Sequence, residues 1–187
     1  MKKGDLYRMN KYELGGVLLG RDVIKNKVKE LAKEISLYYK NKPVHVIGVL
    51  KGSVIFLSDL IREVDRSIQM KLDFLSVSSY GASTKSSGVV KINKDLDESV
   101  VNKNLLIVED IVDTGLTLQY LINILRERSP KEIKVCSLLD KPERRIVDLK
   151  ADFYGFTIPD EFVVGYGLDY EGYWRNLPDI HILRKVD

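Results

Sequence analysis

One cysteine, Cys136, and two histidines, His45 and His181, are all the thiols and imidazoles in this 187-residue chain. A lone cysteine cannot form an intramolecular disulfide, and the three residues together cannot make a Cys/His zinc site. A reducing, cytoplasmic setting is therefore expected. Long hydrophobic runs are also missing. The most apolar stretch, "VHVIGVLKGSVIFL", is interrupted by Lys51, and the basic N-terminus "MKKGDLYRMN" has no apolar segment behind it. Neither a signal peptide nor a membrane span is predicted. Charge of one sign is not in excess: 30 Lys+Arg against 27 Asp+Glu leave a formal +3, with the basic residues scattered. Nothing here makes a nucleic-acid footprint, so no nucleic-acid or membrane partner is expected. Repeats and low-complexity blocks are absent as well.

What is present suits one domain spanning residues 1–187, because 44% hydrophobic residues supply an ordinary core. Ile24, Val28, Leu31, Ile35 and Tyr38 recur at steps of three and four, the spacing of one helix face. "PVHVIGVL" (43–50) reads as a buried strand, followed by helical spacing in "GSVIFLSDLIREVD" (52–65). "MKLDFLSVSSY" (70–80) and "VVKINK" (89–94) read as strands flanking the loop "GASTKSSG" (81–88). "NKNLLIVED", the helix 116–129 ended by Pro130, and "EIKVCSLLD" (132–140) complete an alternation of strands and helices. Unalternating apolar strands between helices predict an α/β fold with a mainly parallel sheet flanked by helices. His45, His181 and Cys136 are read as structural, Cys136 as packing within an apolar strand.

The segment "LLIVEDIVDTGLT" (105–117) puts Glu109, Asp110 and Asp113 at the carboxyl end of a strand, beside a turn that opens a helix. That is the crevice where parallel sheets bind ligands. Backbone donors over residues 113–117, with the hydroxyls of Thr114 and Thr117, suit a phosphate, and Gly115 permits close approach. Three acids would repel that phosphate unless Mg²⁺ stands between them or the ligand also carries hydroxyl groups. A ribose phosphate satisfies both conditions. Helix capping alone would need a single acid. A phosphate-binding G-x-x-x-x-G-K-[ST] is absent, the only G-x-G (Gly165, Gly167) has no helical run behind it, and a receiver-type acidic pocket would not be followed by Thr-Gly-x-Thr.

"VEDIVDTGLT" resembles the phosphoribosyl pyrophosphate motif of type I phosphoribosyltransferases. "LKGS" (50–53), "SSYGASTKSSG" (78–88), "LLDKPERR" (138–145), "IPDEFVVGYGLDY" (158–170) and "YWRNLP" (173–178) are similar to segments of the hypoxanthine-guanine branch, in the same order. The resemblance implies the type I fold, with a core over about 21–150 and a small hood built from 1–20 and 155–187. It implies Mg²⁺-dependent transfer of ribose 5-phosphate to a 6-oxopurine. Glu109 and Asp110 then match the ribose and metal acids, with Asp169 as a further metal ligand. Asp113 matches the general base, and Thr114, Gly115 and Thr117 the phosphate loop. Lys51, Gly52 and Arg175 match the pyrophosphate contacts, with a non-proline cis peptide before Lys51. Lys141, Phe162 and Val163 match the purine pocket, and Ser79 and Tyr80 the head of a lid. Relatives commonly form dimers or tetramers, so a homo-oligomer is expected. The alternative is a purine-responsive regulator that keeps the turn and does no chemistry.

Overall fold

The structure is a computed structural model that describes residues 8, 9, 11–79 and 90–186. In chain order its elements are β1 (Arg8–Met9), β2 (Tyr12–Leu19), α1 (Arg21–Tyr38), β3 (Val44–Leu50), α2 (Val54–Glu63), β4 (Met70–Ser79) and β5 (Val90–Lys94). There follow β6 (Asn104–Val112), α3 (Leu116–Glu127), β7 (Glu132–Asp140), β8 (Phe153–Thr157), β9 (Val163–Val164) and β10 (Ile180–Lys185). A six-stranded sheet has the order β5-β4-β3-β6-β7-β8, and every neighbouring pair is parallel except β4 with β5. The expected α/β fold with a mainly parallel sheet is present.

Burial explains why these strands read as unbroken apolar runs. Val46, Leu106, Val108, Cys136 and Leu138 point to one face and pack with Ile24, Leu31 and Ile35 of α1 and Phe56, Leu57 and Leu60 of α2. Ile47, Val49, Leu105, Ile107 and Val135 point to the other and meet Leu118, Leu121, Ile122 and Leu125 of α3. With both faces covered, alternation with polar residues would leave unpaired polar groups inside, and each fully buried Leu or Ile contributes about 1.5–3 kcal/mol instead. Cys136 is fully buried, as expected for packing.

The second, four-stranded sheet has the order β1-β2-β10-β9 and joins the two ends of the chain. Gly155 to Thr157, placed with the hood by the sequence reading, instead form the end of β8 and pair with β7 in the main sheet. The apolar spacing of that segment fits either sheet; the register with Leu139 and Asp140 assigns it to the core. Among the described residues, no helix is long and apolar enough to cross a membrane.

Candidate active site

At the carboxyl edge of the parallel strands, β6 carries its buried run directly into Glu109, only 7% exposed. Burial, and then the neighbouring Asp110, push the Glu109 carboxyl well above the usual range. Asp110 is pushed up to about 6, first by burial and also by Asp169. The Ile111 N–H, 2.8 Å from Oδ1, and the Arg175 charge pull the other way. Gly115 then takes φ +84, a left-handed conformation open to glycine without cost, and α3 begins with no side-chain cap. Among the described residues the Leu116 N–H has only a long contact, 3.5 Å to Thr114 Oγ1. The first turn of α3 therefore presents donors to a ligand.

The LKGS turn forms the facing wall. The Leu50–Lys51 peptide is cis. Ser53, fully buried, donates from Oγ to Val49 O at 2.7 Å and ties the turn to the end of β3. Lys51 is exposed. A Cβ placed on Gly52 would come within 1.6 Å of Asp110 Oδ2, so the turn and the acids touch without a side chain between them. On its other flank, a Cβ on Gly167 would meet Gly52 O at 2.1 Å. The 165–175 segment thus closes onto the same turn. Arg175 Nη1 donates to Gly167 O at 2.6 Å, and Nη2 lies 2.6 Å from Asp169 Oδ1.

The side expected to take the purine is assembled from the loops after β6, β7 and β8. Lys141 is 6% exposed; its N–H donates to Val112 O at 3.0 Å and its Nζ to Glu161 O at 2.6 Å. Burial lowers its pKa, opposed by Asp113 and Asp160. Phe162 is 51% exposed, and its ring stands nearly perpendicular to that of Tyr170 with centroids 5.7 Å apart. Val163 is buried in β9, paired with Ile182.

The sequence reading assigned no part to the two arginines of "LLDKPERR". Arg144 Nε lies 2.7 Å from Asp113 Oδ1, off the line of a hydrogen bond, so the attraction is Coulombic; its Nη1 donates to Asp160 at 3.2 Å. Arg145 pairs with Asp140 and donates to the carbonyls of Asp113 (3.0 Å), Val112 (3.2 Å) and Leu149. It is the clamp that holds the acidic turn against the loop after β7. Tyr12 was also missed: its ring stands 4.6 Å from that of Tyr170, bringing β2 to the 165–175 segment. The only signal for the arginines was their place beside Lys141, and for Tyr12 there was none.

The structure brings Glu109, Asp110, Asp113, Gly115, Lys51, Gly52, Lys141, Phe162, Asp169 and Arg175 to one edge, with Thr114 half-buried and Thr117 exposed in the α3 turn. Ser79 ends β4 there, whereas Tyr80 and the rest of the expected lid fall outside the described residues. Among the described residues, no three acid, histidine or cysteine side chains converge as a ready-made metal site. Hard carboxylate oxygens on Glu109, Asp110 and Asp169 nonetheless suit Mg²⁺, which uses few protein ligands and completes its shell with water and substrate phosphates. Mutual repulsion of Asp110 and Asp169 is what a cation would relieve.

Fold and site define a phosphoribosyltransferase: the family described as phosphoribosyl transferase domain matches residues 20–171, and the chain belongs to it. Its relatives place it in the hypoxanthine-guanine branch. The hypoxanthine-guanine phosphoribosyltransferase of Bacillus subtilis (strain 168) is 52% identical over 178 residues, 95% of this chain and 98% of that protein. That of Aquifex aeolicus (strain VF5) is 51% identical over 168 residues, 89% and 93% of the two chains. A crystal structure of a hypoxanthine phosphoribosyltransferase from Staphylococcus aureus matches with TM-score 0.88 at 47% identity, covering 91% of this chain and 92% of that one. These relatives do not favour the regulator alternative.

Proposed function

We propose that the chain transfers the 5-phosphoribosyl group of phosphoribosyl pyrophosphate to N9 of hypoxanthine or guanine, giving IMP or GMP and pyrophosphate. The observation that carries this reading is the contact of Gly52 with Asp110. It sets a loop suited to diphosphate against acids suited to ribose hydroxyls, with a helix N-terminus beyond them for the 5′-phosphate.

In the reaction the bond from C1′ to the pyrophosphate oxygen breaks and the bond from C1′ to N9 forms, while the purine loses the proton on N7. Asp113 accepts that proton. Lys141, which has donors only, faces O6 and disfavours a 6-amino group. Phe162 stacks on the ring, and the main chain at Val163 meets its edge. Lys51, the backbone at Gly52 and the Arg175 guanidinium hold the leaving diphosphate, a fork matched to phosphate oxygens. Thr114, Gly115 and Thr117 hold the 5′-phosphate, and Ser79 and Tyr80 head the lid that excludes water. Asp169, with Glu109 and Asp110, would hold Mg²⁺, which would supply charge neutralisation at the pyrophosphate. The enzyme works in the cytoplasm as a dimer or tetramer.

The test offers phosphoribosyl pyrophosphate and Mg²⁺ with hypoxanthine, guanine, xanthine and adenine in separate reactions, followed by chromatography. Nucleotide from hypoxanthine or guanine and none from adenine is expected. No nucleotide from any base would overturn the reading.

A further inference from the structure

The opposite edge of the main sheet holds a second cavity, of about 570 Å³, at the amino ends of β3, β4 and β6. Lys42, Lys71, Lys103 and Lys131 stand around it, and His45 forms part of its wall. His45 is 3% exposed, yet among the described residues neither ring nitrogen has a hydrogen-bond partner. Asp73 Oδ2 lies 3.6 Å from Nε2, but that carboxylate is already engaged by the N–H groups of Phe74 (2.7 Å) and Asp97 (2.8 Å). Burial and the Lys103 charge push the imidazole pKa below its usual value, leaving a neutral ring with one donor and one acceptor to satisfy. Glu98 pairs with both Lys71 (2.8 Å) and Lys103 (3.1 Å), and Lys42 lies over the Tyr38 ring at 4.5 Å. Four lysines against Glu98 leave the mouth positive.

Lysines at this edge would by themselves serve to offset the carbonyl ends of α1 and α3. That purpose requires neither a hollow nor an orphaned imidazole in its wall. A cavity of this volume is within the range that encloses a small molecule. Gln69, Asn102, Val44 and Met70 also line it, a mixture suited to a ring or sugar carrying an anion.

We propose that this cavity is a second ligand site, for a small phosphorylated molecule whose phosphate meets Lys42 and Lys131 and whose body lies along the wall that His45 helps to form. It lies across the sheet from the catalytic turn, and its occupancy does not depend on the reaction there. His45 and His181 are the only histidines, and His181 sits in β10 with Nδ1 3.3 Å from Gly15 O, so ring signals separate the cavity from the rest of the molecule.

The experiment labels the histidine rings of the full chain and titrates adenosine 5′-monophosphate, with adenosine and inorganic phosphate as separate probes, following the imidazole signals by NMR. A saturable shift of His45 with the monophosphate is expected, with His181 still. The apparent affinity should fall at least tenfold in the variant Lys42→Glu, Lys131→Glu, whose transferase activity should stay near that of the parent. Should that variant fail to fold, Lys131→Gln carries the same comparison. A silent His45, a response unaltered by removing the lysine charge, or adenosine acting as well as its monophosphate would each overturn the proposal.

Discussion

Gly52 and Asp110 meet so closely that no side chain fits between them: a Cβ on Gly52 would stand 1.6 Å from Asp110 Oδ2. Gly52→Ala must therefore displace either the turn or the carboxylate. A misplacement of this size at a reacting centre costs about 10²-fold in rate. Loss of that order in kcat/KM, with a secondary-structure spectrum like the parent's, is the expected result. A fully active alanine variant would show that the two walls do not act together.

Asp113→Asn keeps the shape and removes the proposed proton acceptor. General-base help is worth about 10²–10⁴-fold, so turnover should fall by that order while binding of phosphoribosyl pyrophosphate, measured by calorimetry, stays close to the parent's. Undiminished turnover would remove Asp113 from the base role.

Asp110 carries a stability penalty with a predictable sign. Its folded carboxyl titrates at about 6 against an ordinary 3.8, so the folded state binds more protons between these values, and stability falls as pH rises through that window. Asp110→Asn lifts the penalty. Urea unfolding in EDTA should find the variant more stable than the parent by on the order of 2–3 kcal/mol at neutral pH, with the gain shrinking to nothing near pH 4. A gain independent of pH would contradict the cause given for it.

Phe162 is half exposed, so Phe162→Ala should leave thermal stability nearly unchanged. Stacking of a base on an aromatic ring is worth about 1–3 kcal/mol, which predicts a rise of roughly tenfold or more in purine KM. The KM for phosphoribosyl pyrophosphate should not follow. Equal changes in both would point to a structural part for the ring.

Arg145 and Asp140 pair with side chains only 12% and 14% exposed. Arg145→Ala takes the guanidinium from that carboxylate and from the carbonyl of Asp113, while Val112 O keeps the Lys141 N–H. A loss of about 3 kcal/mol in unfolding free energy is expected. A variant with the parent's stability but lowered kcat would instead make Arg145 a pure positioning residue.

Much of this molecule is legible in its residue order. Ile24, Val28, Leu31 and Ile35 announce α1 by their spacing, and all four are buried. The unbroken apolar run from Leu105 to Val108 announces a strand covered on both faces, and Glu109 to Thr117 announces its own chemistry because the acids, hydroxyls and glycine lie next to one another in the chain. Such features depend on periodicity and local geometry, which neighbouring residues settle among themselves.

Contacts between distant segments are another matter. That Gly155 to Thr157 belong to the main sheet is decided by pairing with β7, since a short apolar run satisfies either sheet equally. That Arg145 reaches back some thirty positions to the carbonyls of Val112 and Asp113, that Gly167 lies on Gly52, and that Tyr12 joins Tyr170 all follow from the packing of loops at one edge. The ring of His45 belongs here too: in the sequence it is one residue of a strand, and only the surrounding chain leaves it buried at a basic cavity with no hydrogen-bond partner among the described residues. The sequence by itself determined the elements and the chemical groups of the catalytic turn. Tertiary structure alone decided which groups are desolvated, which charges are answered and which remain free, because those depend on what the fold places within a few ångströms rather than on what is adjacent along the chain.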